Sequence, residues 1–286
     1  MQPKGIFVGL STIDIIYTVS EHPAPNTKVA AHSQEIVVGG PATNAAITFA
    51  HLGGNTTLVT PAGAHSLAAV IREECNHFGI ALADLAPNAH EPPPISSIWV
   101  DAEAHRSVVS ANTSGRTIPN ATVDQSQLAD ANILMVDGHD MQACQAWAEA
   151  AQSAGITVVL DGGSWKTGTD RLLKHVDVAI CSADFFPPTC TDKDGVIAYL
   201  RTSGVEKIAI TQGAAPILWA SESARGTINV KQVESLDTTG AGDILHGAFC
   251  FYYYADGRRF DEALCTASII ASESCRYRGT RAWMAG

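Results

Sequence analysis

Short apolar runs alternate along this chain with longer segments whose apolar positions recur at helical spacing. Residues 5–10 read as a buried strand and residues 13–19 as another. A Pro-rich turn covers 22–26, and a strand at 34–38 ends in Gly39-Gly40. Residues 41–52 read as a helix, with Pro41 near its start and Gly53-Gly54 beyond its end, as helix termini prefer. A strand at 56–60 and a helix at 67–78, stopped by Gly79, complete the first third.

Glu91-Pro92-Pro93-Pro94 breaks the pattern. Beyond it, 95–100 and 106–110 predict two strands around the polar turn 101–105, a hairpin outside the main sheet. From residue 133 strands and helices alternate. Strands are expected at 133–136, 156–160, 178–181, 207–211, 217–220 and 227–230, and helices at 142–153, 171–175, 195–202, 243–254 and 260–276. Such alternation predicts an α/β domain with a doubly wound, mostly parallel sheet covered by helices on both faces. Ligands of such sheets sit beyond the carboxyl ends of the strands. Gly39-Gly40, Asp161-Gly162-Gly163, Thr211-Gln212-Gly213 and the turn at 237–243 all fall there.

At 286 residues, 46% apolar and 16% charged, the chain predicts one globular domain over 1–286. A net charge of −11 argues against nucleic acid and anionic membranes as partners. Seven scattered cysteines without a C-x-x-C pair suit a reduced compartment, so a cytoplasmic protein is expected. The N-terminus lacks a signal-peptide pattern, and no apolar run approaches the ~20 residues of a membrane span. Ten histidines show no zinc spacing.

The densest chemistry lies in Asp237-Thr238-Thr239-Gly240-Ala241-Gly242-Asp243, directly before an apolar helical pattern. Backbone N–H groups at a helix start gather an anion, because they lack partners and the helix dipole favours negative charge there. Asp243 at the same helix mouth can accept a proton from an attacking hydroxyl. Gly-rich turns and helix-start aspartates are also common punctuation. Two threonines, two glycines and two aspartates within this turn favour phosphoryl transfer.

With Val38-Gly39-Gly40-Pro41-Ala42-Thr43-Asn44-Ala45-Ala46 and the 237–243 turn in the right order, the chain resembles the ribokinase-type, or PfkB, carbohydrate kinases. Asp14 in its strand and Thr211-Gln212-Gly213 extend the resemblance over about residues 5–280. The Ser182-x-Asp184 stretch and the short tail are most similar to the ketohexokinase and sulfofructose kinase branch. The resemblance implies a ribokinase-like fold with a small β-lid from about 11–34 and 94–114, often paired between two chains as a homodimer. It implies ATP and Mg²⁺, a sugar as acceptor, Asp243 as general base, and the amides of Gly240, Ala241 and Gly242 as an anion hole. Asp14, Gly39, Gly40 and Asn44 match sugar contacts. Each also has a plain structural reading as a strand residue, a tight turn or a helix-start cap.

Thr211, Gly213 and Thr238 match the nucleotide segment, and Arg276, with Arg278 and Arg281, offers a basic cluster for phosphates or a solvated tail. Asp237 matches a monovalent-cation position, or caps its own turn. Many relatives carry Asn-x-x-Glu after the strand at 178–181. Here the stretch is Cys181-Ser182-Ala183-Asp184, and Asp184 is the one carboxylate left to help hold Mg²⁺. Lys28 in the lid and His139 are candidates for an anionic or neutral sugar. The expected activity is phosphorylation of a fructose-like ketose. The alternatives are a nucleoside or other small-alcohol kinase, or a catalytically weak sugar or nucleotide sensor.

Overall fold

The run Lys4–Val8, β1, lies inside the main sheet, and its Ile6, Phe7 and Val8 are fully buried. A computed structural model of the chain describes residues 2–103, 105–111, 123–255 and 257–285. After β1 come β2 (Thr12–Thr18), β3 (Ser33–Gly39), α1 (Pro41–His51), β4 (Asn55–Thr60), α2 (Ala68–His77), β5 (Ala81–Asp84), β6 (Ile95–Val100) and β7 (Arg106–Ala111). Next are α3 (Gln125–Leu128), β8 (Ile133–Val136), α4 (Met141–Ser153), β9 (Thr157–Gly162), α5 (Thr169–Leu172), β10 (Val178–Cys181) and α6 (Lys193–Thr202). The chain closes with β11 (Lys207–Gln212), β12 (Ala215–Ala220), β13 (Arg225–Ile228), α7 (Ala241–Ala255) and α8 (Phe260–Ser274).

The main sheet runs β13-β12-β11-β10-β9-β8-β1-β4-β5. From β11 to β5 every pairing is parallel, and β12 and β13 add an antiparallel edge. Alternate residues of one strand enter opposite layers. Phe7 joins Phe49 of α1, Phe249 of α7 and Leu264 of α8. Ile6 and Val8 join Trp147 of α4 and Leu200 of α6. This is the doubly wound sheet expected from the strand and helix alternation. The chain builds outward from β1 through β4 to β5, then returns to β8 and builds the other way. In sheets of this kind ligands bind at such a reversal, here beyond the carboxyl ends of β1 and β8.

A separate sheet, β3-β2-β6-β7, rises from this end. Strand β3 continues to Gly39, past the expected lid boundary at 34, because every residue of β2 finds a partner in it. Residues 112–114, also expected in the lid, lie outside the described residues. Register places Val37, Asp14, Ser96 and Ser110 in one row, with Glu35, Ile16, Ile98 and Val108 in a second row on the same face. The intervening row, Ile36, Ile15, Ser97 and Val109, points to the opposite face.

Three local readings differ from the sequence. The strand expected at 227–230 is Arg225–Ile228, because a tight turn pairs Ala220 with Arg225. Ala81–Asp84 forms β5, a short edge strand whose composition carries no strand signal. Gln125–Leu128 is a single helical turn capped by Asp124.

Candidate active site

Helices α1 and α7 cross in close contact. A Cβ on Gly247 would lie 2.3 Å from the Ala45 carbonyl oxygen, so only glycine permits this approach. One turn earlier on α7 is Asp243, and beside Ala45 is Asn44. Across the crossing Asn44 Nδ2 donates to Asp243 Oδ2 at 2.7 Å. Asn44 Oδ1 accepts from Arg281 Nη1 at 2.9 Å. The same guanidinium donates to the Val38 carbonyl and to Glu74 Oε1, each at 2.9 Å. Arg281 therefore enters the expected sugar region, facing Asp14 and Asp243, rather than forming part of a solvated or phosphate-binding tail.

Asp14 joins this group through the glycines of the first signature. A Cβ on Gly39 would lie 2.1 Å from Asp14 Oδ2, so the carboxylate rests against bare backbone. Gly40 has φ +99 and begins α1, with its absent Cβ 2.2 Å from the Leu10 carbonyl oxygen. Close approach thus requires both glycines, and the positive φ adds a second requirement at Gly40. Burial pushes the Asp14 carboxyl above its ordinary range, and hydrogen bonds from Thr12, at 2.8 Å, and Ser96 oppose that rise.

Asp243 sits in the first turn of α7. Burial, then the neighbouring Asp161 carboxylate, push it up to about 7, against the Asn44 hydrogen bond and the nearby His246. A carboxyl poised there can exchange a proton near neutral pH. Gly242 precedes it. Nothing lies within 4 Å of the point where a Cβ on Gly242 would stand, so its free face is open to a ligand. Gly240 differs. It has φ +70, and a Cβ would meet Thr280 Cγ2 at 2.4 Å, so it shapes the turn.

Ala241 and Gly242 line a cavity of about 310 Å³ together with Thr211, Gly213 and Thr238. The expected nucleotide residues are therefore gathered at the start of a 15-residue helix, a place suited to a phosphate chain, although the Ala241 amide already donates to the Thr238 carbonyl at 3.3 Å. Arg276 is not among the lining residues. It is an exposed partner of Glu273, at 3.1 Å, while the adjacent Cys275 faces the cavity. A second cavity, about 460 Å³, lies between the small sheet and the signature turn, lined by Ile16, Ile98, Arg106, Asp237 and Thr239. Arg106 of β7 donates to the Thr239 hydroxyl, so the small sheet touches the turn.

The remaining expected residues are dispersed. Asp237 accepts from the amides of Thr239 and Gly279, each at 2.9 Å, which staples the turn to the C-terminal segment. Asp184 is exposed, its amide bonded to Ser182 Oγ. Among the described residues no group of three or more His, Cys, Asp or Glu is placed to hold a metal ion. Mg²⁺ often binds through phosphates and only one or two carboxylates, so these residues fit a loosely held ion and supply no cage for it. Lys28 is exposed in the β2–β3 connection. His139 follows β8, its amide donating to Asp137 Oδ1 at 2.9 Å.

Sequence reasoning assigned no role to Asp137, Asp161 or His246. Asp137, 1% exposed, accepts from the amides of Leu10 and Ala42 and so ties β1 and α1 together at the sheet reversal. Asp161 and His246 lie 3.5 Å apart behind Asp243. Asp137 and Asp161 did carry a signal: each is a carboxylate ending an apolar parallel strand.

A family model described as pfkB family carbohydrate kinase matches residues 3–285. A ribokinase of Haemophilus influenzae is 22% identical over 284 residues, 96% of this chain and 92% of its own. A nucleoside kinase of Methanothermobacter thermautotrophicus is 25% identical over 282 residues, 96% and 90% of the two chains. The structure of Arabidopsis thaliana ribokinase complexed with ribose and ATP aligns with a TM-score of 0.78 and 20% identity, over 98% of this chain and 94% of that one.

Proposed function

The chain belongs to the pfkB family of carbohydrate kinases, and from that premise we propose that it transfers the γ-phosphoryl group of ATP to a hydroxyl of a monosaccharide. The observation that carries this reading is the Asp243 carboxyl standing next to the open face of Gly242 in the first turn of α7. Asp243 takes the proton of the attacking hydroxyl, while the amides of Gly240, Ala241 and Gly242 receive the charge that spreads over the phosphoryl oxygens. Asp14, against Gly39, and Asn44, oriented by Arg281, hold the sugar. A carboxylate accepts from two hydroxyls, and an amide both donates and accepts. The adenine nucleotide occupies the cavity at Thr211, Gly213 and Thr238. Mg²⁺, when bound, would offset phosphate charge.

The small sheet acts as a lid that excludes water. Its outward row presents Ile36, 56% exposed, and Val109, 66% exposed, which supports pairing of two lids in a homodimer. The seven free thiols are in keeping with a reduced, cytoplasmic setting.

For the acceptor, ribose is suggested by the names of the relatives, and a fructose-like ketose by the Ser182-x-Asp184 stretch. ADP release over ribose, deoxyribose, fructose, a sulfosugar and adenosine tests both assignments. Turnover of a sugar supports the reading, and its position in the panel names the class. Turnover of adenosine alone would make the chain a nucleoside kinase, and binding without turnover would make it a sensor.

A further inference from the structure

We propose that His246 is held as an imidazolium behind the phosphoryl-binding turn, a positioning residue that with Asp161 sets the charge surrounding Asp243. His246 is 5% exposed on α7. Its Nδ1 lies 2.7 Å from the Gly242 carbonyl oxygen and its Nε2 lies 3.0 Å from the Ile180 carbonyl oxygen. Both partners are acceptors only. A neutral imidazole has one N–H and one lone pair, so either tautomer would aim a lone pair at a carbonyl oxygen. Only the doubly protonated ring satisfies both contacts.

A buried cation needs a partner, and Asp161 Oδ2 stands 3.5 Å from Nδ1. Asp161 ends β9, Ile180 belongs to β10, and Gly242 begins α7, so the ring ties the sheet to the catalytic helix. Fixing the Gly242 carbonyl also fixes the peptide plane that joins Gly242 to Asp243. The charges facing this pair are Asp243 on the same helix, Asp137 beyond β8, and Lys166 and His139, which act on Asp161. Burial holds the Cys181 and Cys250 thiols above their ordinary range, so they remain neutral nearby.

Asp161 and His246 act on Asp243 with opposite sign. The carboxylate raises its proton affinity and the imidazolium lowers it. Removing one partner exposes the effect of the other. A scaffold role alone predicts lower activity at every pH, with no opposed shifts.

The test uses full-length protein with ¹⁵N-labelled histidine and ¹³C-labelled aspartate. His246→Gln identifies the His246 ring signal by its disappearance. At pH 7 both ring nitrogens of that residue are expected to be protonated, and a neutral tautomer would overturn the proposal. The Asp243 carboxyl titration, assigned with Asp243→Asn, is then followed in His246→Gln and in Asp161→Asn. The midpoint is expected to rise in the first and fall in the second by on the order of one pH unit or more. Unmoved midpoints, or two shifts in the same direction, would overturn it. Should His246→Gln not fold, the wild-type spectrum assigned through Asp161→Asn and the Asp161→Asn titration still decide. The proposal rests on the kinase reading only for its kinetic consequence, that the acid limb of kcat with ATP and ribose shifts the same way. Absence of turnover with any sugar would reject the sugar-kinase reading and leave the titrations to judge His246.

Discussion

Asn44 Nδ2 donates to Asp243 Oδ2 at 2.7 Å across 199 residues of sequence, and Arg281 holds the other end of the same amide. The first signature thereby fixes the carboxylate of the second. Because Asn44 Oδ1 accepts from Arg281, the amide has one orientation, and among the described residues its second N–H has no partner. The two signatures form one unit around the proposed site of phosphoryl transfer.

Replacing Asp243 with Asn keeps the bond from Asn44 and removes the proton acceptor. Steady-state kinetics should show kcat reduced by ~10²–10⁴, the span of a general base. Stability should move the other way. Folded Asp243 retains its proton up to about 7, whereas the unfolded chain releases it near 3.8. Between these values the folded state binds more protons, so its stability falls as pH rises, and the full loss is present above 7. Asp243→Asn removes that loss. Its melting temperature should exceed that of the wild type at pH 8 and match it near pH 4, with roughly 2–4 °C for each kcal/mol recovered. Lower stability at pH 8 would contradict the assignment.

Asn44→Ala withdraws a hydrogen bond that favours the charged form of Asp243. The acid limb of kcat/KM should shift to higher pH, and Asn44→Asp should shift it further, because a like charge disfavours ionisation. An unchanged limb in both variants would separate Asn44 from the base.

Gly242 and Gly240 should respond differently. Gly242→Val places its side chain in open space, where the phosphoryl group is proposed to sit. Activity should be lost with the melting temperature near wild type and sugar binding kept by calorimetry. Gly240→Ala meets Thr280 at 2.4 Å in a positive-φ backbone, so it should destabilise the fold by about 1 kcal/mol or more. Equal loss of stability in both would remove the distinction.

Asp14→Ala removes contacts made in ground and transition states alike, so KM should rise more than kcat falls. An unpaired buried partner adds about 1–3 kcal/mol, or roughly 5- to 150-fold in affinity. ATP affinity without sugar should barely change. Loss of ATP binding with sugar binding intact would put Asp14 in the nucleotide half.

Much of this was decided locally and is readable as sequence. Apolar runs of four to six residues, such as Ile133–Val136, alternating with helical patterns point to a sheet covered on both faces. The turn at 237–243 states its chemistry because helix-start amides and a neighbouring carboxylate are set by adjacent residues. Tertiary structure decided what depends on distance and solvent exclusion. The pairing of Asn44 with Asp243 follows from a helix crossing that Gly247 permits, and nothing near either residue in sequence announces it. Arg281 reads as one of three tail arginines until the fold carries it to Glu74 and Asn44. His246 reads as an ordinary residue of an apolar helix. Its two carbonyl partners come from different elements, and charge effects on Asp243 become strong only where burial removes the screening of water.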